Sequence, residues 1–265
     1  MREISIDEIQ ERQLALLDHV AAFCDEHHLT YILIGGALLG SVRNGKLIPW
    51  DDDIDLFMPR ADYRKFIEIF SDTGKCQLLT SEREPNYYYP FAKVCDRETT
   101  FIENAKEQGL KSLDCLKVGI DIFPVDYLPK NPFEREIKIL QQRLLQGLCY
   151  RDFRLLDSHS IPLVFRMILT VYKAIKKLNA NTVNDYIAAM DELWGNQAEG
   201  AILFDSWTYK RHNALAIVPT GYATLEGKRY SAPNDLDYFL TECYGKTYMT
   251  PRVDMPDGHG KAYVL

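Results

Sequence analysis

Apolar residues recur with two different periods in the first half of the chain, and each period predicts a different kind of element. Helical spacing runs from Ile6 to Phe23, after a Ser5/Glu8 pair that fits an N-terminal capping box. A second helix is predicted over residues 63–70. Short apolar runs predict strands at residues 31–34, 53–58, 77–80, 91–95, 99–103 and 118–124. The pattern therefore predicts an α+β fold with a mixed β-sheet core and flanking helices.

The second half of the chain has a mainly helical pattern that is interrupted by a short hairpin. Helices are predicted over residues 131–156, 161–178 and 233–244. Neither an internal repeat nor a low-complexity linker separates this half from the first. We therefore expect a single domain over residues 1–265, with a core at 1–130 and a helical elaboration at 131–265 that ends in the hairpin and a last helix.

The predicted helix at 161–178 combines apolar residues with Arg166, Lys173, Lys176 and Lys177. It is too short and too charged to span a bilayer. A basic amphipathic helix of this kind is compatible with peripheral contact to an anionic membrane. The favoured interpretation is the simpler one, a helix packed against the rest of the domain.

Composition and charge limit the expected partners and compartment. The chain has 265 residues, of which 46% are hydrophobic, enough for a substantial core. A formal net charge of -7 supplies no global basic field, so we expect no nucleic-acid partner. Six cysteines without a C-x-x-C motif, together with an N-terminus that has no apolar signal core, lead us to expect a cytoplasmic protein with reduced thiols.

Four carboxylates lie within five residues, at Asp51, Asp52, Asp53 and Asp55. Carboxylates this close repel one another, so a stable fold keeps them together only if a cation neutralises them or if they face water. A calcium loop of the EF-hand type is excluded, because its sixth and twelfth positions require Gly and Glu but are Leu56 and Asp62 here. A solvated acidic turn and a divalent-cation site are the alternatives left.

The spacing of Asp53 and Asp55 favours the cation site. Side chains two apart in a strand project to the same side, and paired carboxylates suit Mg²⁺, with Mn²⁺ as an alternative. Asp121 is a lone acid in the apolar strand predicted at 118–124. If this strand pairs beside the first, Asp121 joins Asp53 and Asp55 in a cluster of three carboxylates.

Gly35 and Gly36 separate the strand predicted at 31–34 from a short helix predicted at 37–43. A strand that enters a helix through glycines directs free backbone N–H groups and the positive helix end toward an anion. We therefore expect both glycines to bind phosphate. A glycine turn followed by an Asp-x-Asp strand is the layout of a nucleotidyltransferase-like site.

Cationic and aromatic residues near these motifs are further candidates for substrate binding. Arg43 and Lys93 are predicted to contact phosphate. Trp50 and the tyrosines at 87–89 are compatible with an aromatic cage for a quaternary ammonium group, although such clusters more often pack in a core. Asp51 is a candidate either for substrate contact or for support of neighbouring metal ligands.

Four segments of the chain together resemble the LicD family, which includes bacterial phosphocholine transferases and, more distantly, eukaryotic fukutin-related ribitol-phosphate transferases. They are GGALLGSVRNGKLIPWDDDIDLFMP at 35–59, FAKVCDRETT at 91–100, GIDIFPVDYLP at 119–129 and LEGKRYSAPNDLDYFLTECYGKTYMTPR at 225–252. One departure is Gly36-Ala37, where the family commonly has Gly-Thr. The change removes a hydroxyl that could contact phosphate.

The resemblance implies a nucleotidyltransferase-like enzyme that moves a phospho-alcohol, most of all phosphocholine, from CDP-choline or another CDP-alcohol to a sugar hydroxyl. The acceptor would be a glycan precursor of the teichoic acid or lipopolysaccharide type, which can be lipid-linked, so the inner face of the membrane is an expected location. The resemblance further implies that Asp53, Asp55 and Asp121 are the catalytic residues and hold magnesium. A polar segment at 205–213 is a candidate lining for the acceptor cleft.

Three interpretations stay open. The first is the phospho-alcohol transferase, which releases CMP. The second is a nucleotidyltransferase that moves a nucleoside monophosphate from a nucleoside triphosphate to a small molecule or protein, and releases pyrophosphate. The third is a non-catalytic acidic module that only binds metal.

Overall fold

A mixed β-sheet is built around one long apolar strand, Gly119–Tyr127. The computed structural model describes residues 1–103, 115–153, 162–195, 199–251 and 260–264. Within them the strands are β1 Arg2–Glu3, β2 Ile32–Ile34, β3 Asp55–Pro59, β4 Cys76–Leu79, β5 Ala92–Asp96, β6 Thr99–Glu103, β7 Gly119–Tyr127, β8 Ile202–Asp205, β9 Arg211–Asn213, β10 Gly221–Leu225, β11 Lys228–Ala232 and β12 Gly260–Val264. The helices are α1 Ile6–His27, α2 Gly35–Asn44, α3 Arg60–Ile69, α4 Pro132–Asp152, α5 Leu163–Ile175, α6 Val183–Trp194, α7 Ala214–Ile217 and α8 Leu236–Tyr244.

The central strand β7 pairs in parallel with β3 and antiparallel with both β5 and β8. Around this centre the strand order is β2-β3-β7-β5-β4, and β9 extends β8. Nearly every residue of β7 is buried, as expected for a strand covered on both faces. The prediction of a mixed α+β fold is confirmed.

Two smaller sheets complete the described part of the chain. The strands β1, β12 and β6 form a three-stranded sheet that joins residues near both ends of the chain. The strands β10 and β11 form a hairpin whose two turn residues, Glu226 and Gly227, both have positive φ. Positive φ at both positions is the geometry of the tight turn that matches strand twist, which confirms the hairpin expected from the sequence.

The helix α1 covers the sheet with an apolar face that includes the fully buried Leu17, Val20 and Cys24. A capping box has two hydrogen bonds, and one of them is present at the start of this helix. The Ser5 hydroxyl accepts from the backbone N–H of Glu8 at 3.3 Å. The C-cap residue after the helix is His28, which adopts the left-handed conformation.

The helices α4, α5 and α6 pack together and meet at one carboxylate. Asp152 of α4 accepts from the Tyr186 hydroxyl of α6 at 2.5 Å and pairs with Lys173 of α5 at 2.6 Å. The pKa of Asp152 is lowered because the hydrogen bonds from Arg151, Lys173 and Tyr186 outweigh the opposing effect of burial. These contacts hold α5 in a fixed orientation on α4.

A buried arginine links the helical part to the sheet. Arg60, at the start of α3, donates two hydrogen bonds to Asp126 of β7, at 2.8 and 2.6 Å, and one to Asp191 of α6 at 3.0 Å. Such a bidentate guanidinium–carboxylate pair fixes both distance and orientation. The helix α6 is thereby tied to the strand that carries Asp121.

The structure corrects two boundaries and one type of element expected from the sequence. The strand predicted at 53–58 begins only at Asp55, so Asp53 lies in the loop that leads into it. The helix predicted at 131–156 spans Pro132–Asp152, and residues 154–156 lie outside the described part of the chain. The segment after residue 199 is less helical than expected, because β8 and β9 join the central sheet. The strand β8 has only four residues and β9 is the polar run Arg211–Asn213, so neither gives a strand pattern without its sheet partners.

No helix in the described ranges has both the length and the apolar character needed to cross a membrane.

Candidate active site

Asp55 and Asp121 occupy paired positions on two neighbouring parallel strands. Asp55 is the first residue of β3 and is in register with Asp121 of β7. Neighbouring strands lie about 4.8 Å apart, and residues in register project to the same face. The backbone N–H of Asp121 also donates to the carbonyl oxygen of Ile54 at 2.9 Å, which fixes this end of the ladder. The conditional expectation that the two strands pair is therefore confirmed.

Burial and neighbouring charges make Asp55 an unusual carboxyl group. Its pKa is raised well above the ordinary range, first by burial and then by the charges of Asp53 and Asp121, while the Lys93 ammonium acts in the opposite direction. Ionisation of Asp55 is therefore unfavourable at this point of the sheet.

Lys93 is the cation in question. It lies on β5 in register with Asp121, and its Nζ atom is 2.6 Å from the carboxylate oxygen Oδ1 of Asp121. The two side chains are only 14% and 16% exposed. A lysine in a mostly buried strand is thus explained by a short ion pair with one of the predicted catalytic acids.

The two glycines at the start of α2 permit a close approach of the acids to the backbone. Gly35 has φ of +65°, and a Cβ atom placed there would lie 2.7 Å from Oδ2 of Asp55. A Cβ atom on Gly36 would lie 1.7 Å from Oδ2 of Asp51. Larger residues would therefore displace these carboxylates, which is a packing reason for glycine at both positions.

Two glutamines of α1 hold the acidic loop in place, and sequence reasoning missed both. The Nε2 atom of Gln13 donates to the carbonyl oxygens of Asp52 and Gly119, at 2.7 and 3.0 Å. The Nε2 atom of Gln10 donates to those of Ile48 and Asp51, both at 2.8 Å. The sequence feature that could have identified Gln13 is its position on the apolar face of the predicted helix. A polar side chain buried there needs hydrogen-bond partners.

The acids open into a cavity of about 370 Å³. Asp53, Asp55, Asp121, Lys93 and Gly35 all line it. Five of the nine site residues predicted from the sequence are thus brought together around one space. A cavity of this size is in the range that holds a small-molecule ligand.

Aromatic rings form another part of the cavity lining. Tyr89 stacks on Phe91 with ring centroids 5.0 Å apart, and Trp207 packs on the edge of both rings, at 5.7 Å from Tyr89 and 5.1 Å from Phe91. We call these three residues the aromatic wall. Trp207 follows β8, so the sheet strands from the second half of the chain complete it.

The strands β8 and β9 supply polar groups to the same cavity. His212 lines it and is 3% exposed, and its Nδ1 atom has no hydrogen-bond partner among the residues that the structure describes. Burial, with a smaller effect of Lys210, lowers the pKa of His212 to about 4, so the imidazole is neutral at physiological pH. Asp205 also lines the cavity and accepts from the backbone N–H of Trp207 at 2.8 Å and from the Thr208 hydroxyl.

The other four predicted site residues do not line this cavity. Arg43 donates from Nε to the carbonyl oxygen of Tyr248 at 2.6 Å and from Nη2 to that of Thr250 at 3.2 Å, contacts that join α2 to the segment after α8. Trp50 lies in a turn and is 41% exposed. The carboxylate of Asp51 lies against Gly36, and both lie outside the lining. Their predicted contacts with substrate stay predictions.

The tyrosines at 87–89 are buried rather than arranged as an open cage. Tyr87 and Tyr88 pack in the core, and Tyr89 contributes to the aromatic wall. The packing alternative is thus the better description of this segment, and Tyr89 both packs in the core and lines the cavity. Trp207, which lies 120 residues further along the chain than Tyr87, could not be connected with them from the sequence.

Whether the acids suit a metal ion depends on their chemistry and on their arrangement. Carboxylate oxygens are the ligands that Mg²⁺ prefers, and a divalent cation would relieve the repulsion that Asp53 and Asp121 exert on Asp55. In their present arrangement, no three His, Cys, Asp or Glu side chains in the described ranges are grouped so as to hold a metal ion. Lys93 is instead the cation beside Asp121. The carboxylate chemistry therefore suits Mg²⁺, whereas the side chains of the described residues are not grouped as a metal site.

Comparison with known proteins finds a family model that matches part of the chain. Residues 28–154 match the family described as LicD/FKTN/FKRP, nucleotidyltransferase domain. This segment contains Gly35, Asp53, Asp55, Lys93 and Asp121, so the acid cluster lies within the matched part of the chain. The resemblance to the LicD family is confirmed over residues 28–154, the segment that matches its model.

A particular relative is the lipopolysaccharide cholinephosphotransferase LicD of Haemophilus influenzae, which is 34% identical over 135 residues. The alignment covers 50% of this chain and 48% of the relative. The matched part thus spans about half the length of each protein.

Proposed function

We propose that this protein transfers a phospho-alcohol, most of all phosphocholine, from a CDP-linked donor to a sugar hydroxyl of a glycan precursor. The relative's name gives phosphocholine as the transferred group and lipopolysaccharide as the acceptor class. A teichoic acid precursor is the alternative acceptor that we propose. The observation that carries the proposal is the meeting of Asp55 and Asp121 at one cavity, within the segment matched to the LicD family.

In this proposal Asp53, Asp55 and Asp121 hold Mg²⁺, for which Mn²⁺ can substitute. The ion would neutralise the donor diphosphate and the charge that develops on the leaving CMP. Support comes from the raised pKa of Asp55, to which burial and the charges of Asp53 and Asp121 contribute, and from the chemistry of the three carboxylates. Because Gln10 and Gln13 fix the loop that carries Asp53, the acids are held in place before substrate binds.

The aromatic wall is proposed to receive the trimethylammonium head of choline. A quaternary ammonium is attracted to the faces of aromatic rings, and Tyr89, Phe91 and Trp207 present three rings within 6 Å of one another. With the acids and the rings on one cavity of about 370 Å³, a phosphocholine group can reach both at once.

The reaction forms one phosphorus–oxygen bond and breaks another. The acceptor hydroxyl attacks the phosphorus of the phosphocholine group, the bond to CMP breaks, and Asp121 accepts the hydroxyl proton. Lys93 sets the position of Asp121 through their 2.6 Å ion pair. It also brings a positive charge close to the phosphate oxygens.

We also propose that residues 1–265 work as one domain of the nucleotidyltransferase type. The strands β8 and β9, which lie outside the matched segment, pair with the central sheet and bring Trp207 and His212 to the cavity. A fragment that ends near residue 130 would lack both residues.

Release of CMP from CDP-choline tests the proposed function. The full chain is incubated with Mg²⁺, CDP-choline and a lipopolysaccharide-type glycan, and CMP and labelled glycan are measured. We expect turnover by the wild type, none by Asp55→Asn, and unchanged turnover by Asp7→Asn, which alters an exposed carboxylate at the start of α1. Wild-type turnover no higher than that of Asp55→Asn would refute the proposal.

A second candidate is transfer of a nucleoside monophosphate, favoured by the nucleotidyltransferase domain named in the family description. Product analysis separates the two, because nucleotide transfer from a nucleoside triphosphate releases pyrophosphate and labels the acceptor with the nucleotide. If neither product forms while metal still binds, the non-catalytic acidic module is the better interpretation.

A further inference from the structure

The helix α5 presents a row of apolar side chains to solvent. Leu163, Val164, Met167, Ile168, Val171 and Ile175 are between 47% and 71% exposed. Their positions recur at helical spacing, so they form one continuous face, which we call the α5 stripe. Soluble proteins rarely expose so many large apolar side chains in one contiguous patch without a binding role.

The opposite face of α5 is fixed to the protein, so the helix cannot turn to bury the stripe. Leu169 is fully buried against α4 close to Gly147. The Arg151 guanidinium donates to the Thr170 hydroxyl at 2.8 Å, and Lys173 pairs with Asp152 at 2.6 Å. The packing expected for this helix is therefore present, but it accounts for only one of its two faces.

The charge around the stripe indicates what could cover it. Residues 162–177 contain Arg166, Lys173, Lys176 and Lys177 and no acidic residue, in a chain whose formal net charge is -7. Arg166, Lys176 and Lys177 are exposed, whereas Lys173 is engaged by Asp152. An anionic lipid surface offers acyl chains to apolar side chains and phosphate groups to cations. The apolar stripe together with the exposed cations on the same helix fits both parts of such a surface.

Two other occupants fit less well. A two-fold contact between copies of this chain would place the same patch on both partners, so that the three exposed cations would approach their own copies. Spanning a bilayer is also excluded, because the 13 residues of α5 form a helix of about 20 Å, shorter than the hydrocarbon core.

We propose that α5 docks the protein on an anionic phospholipid surface. The α5 stripe enters the boundary between headgroups and acyl chains, and Arg166, Lys176 and Lys177 contact lipid phosphates. This inference rests on the exposed face of α5 and not on the proposed enzymatic function.

Vesicle sedimentation without substrate tests the docking. The full chain is mixed with vesicles of phosphatidylglycerol and phosphatidylcholine, or of phosphatidylcholine alone. We expect the protein to sediment with the anionic vesicles, less so at high salt, and to stay in solution with phosphatidylcholine alone. Equal sedimentation with both kinds of vesicle, or none with either, would overturn the proposal.

Paired variants distinguish binding through the α5 stripe from nonspecific binding to vesicles. Met167→Asp with Val171→Asp should reduce vesicle binding at least tenfold, roughly the effect of two charges placed in the interface. Leu215→Asp changes a 72% exposed side chain on α7 and should bind like the wild type. Lys176→Glu with Lys177→Glu should weaken binding to anionic vesicles by at least about tenfold, since each lysine near such a surface contributes about 1 kcal/mol.

Circular dichroism and sedimentation velocity complete the test. Both double variants should keep the wild-type helix content, because every altered side chain is exposed. If the stripe variant binds vesicles like the wild type, the proposal fails. It also fails if the wild type is a dimer that the stripe variant converts to a monomer while vesicles bind neither.

Discussion

Lys93 and Asp121 face each other across neighbouring antiparallel strands, with the ammonium nitrogen 2.6 Å from a carboxylate oxygen. The pair lies beside Asp55, whose pKa is raised by burial and by the neighbouring acids and is held down by this same lysine. One ion pair therefore sets both the position of a proposed catalytic acid and the electrostatics of its neighbour.

Removing the lysine should destabilise the protein through the charge it leaves behind. Lys93→Met leaves the mostly buried Asp121 carboxylate without its ion-pair partner, so we expect a loss of about 3 kcal/mol in the free energy of unfolding. The double variant Lys93→Met/Asp121→Asn should lose less than the sum of the single variants. Urea unfolding measures all three, with Lys46→Met as an exposed control. Additive losses would show that the two side chains do not interact.

Neutralising Asp55 should abolish turnover without weakening the fold. The folded state holds the Asp55 proton more tightly than the unfolded chain does, so wild-type stability falls as pH rises from the ordinary value of 3.8 toward the raised one. Asp55→Asn removes that loss, and in metal-free buffer at neutral pH its Tm should equal or exceed that of the wild type. A large fall in Tm would contradict this electrostatic account of the cluster.

His212 should contribute a specific loss of stability in acid. Its folded-state pKa of about 4 lies below the ordinary 6.5, so the unfolded chain binds the proton first as pH falls. Stability is then complete above pH 6.5 and decreases on the way to pH 4, by at most about 3 kcal/mol.

The variant His212→Leu isolates this contribution. The difference in unfolding free energy between wild type and variant should shrink or change sign between neutral and acid pH, because leucine cannot be protonated. His28→Asn, at an exposed helix end, should follow the wild-type curve. Parallel curves for wild type and His212→Leu would mean that the imidazole is readily protonated in the folded protein.

The aromatic wall should determine preference among donors. Trp207→Leu removes one of its rings, so KM for CDP-choline should rise about 5- to 20-fold, whereas KM for CDP-glycerol, which carries no ammonium group, should change little. Trp50→Leu serves as the comparison, because Trp50 is exposed and lies outside the cavity lining. If Trp50→Leu shows the larger effect, the substrate head binds at the turn expected from the sequence instead.

Local patterns alone were enough to predict the acid cluster, the strand that carries Asp121 and the glycine turn beside it. These features depend on neighbours in sequence: a period of two marks a strand, a lone acid among apolar residues stands out, and glycines mark a turn. The family resemblance rested on these segments together with residues 91–100 and 225–252. Such short-range information gave the class of fold. It also gave the five residues, of the nine predicted for the site, that meet at the cavity.

What the chain's linear order could not decide is which distant residues share the cavity. Trp207 and His212 reach it because β8 pairs with the end of β7, and Arg43 is turned away because it bonds to carbonyl oxygens more than 200 residues later. The ion pair of Lys93 with Asp121 likewise requires the register of β5 against β7. Sheet pairing and register come from packing over the whole core, which a local pattern does not contain, so only the tertiary structure could assign these contacts.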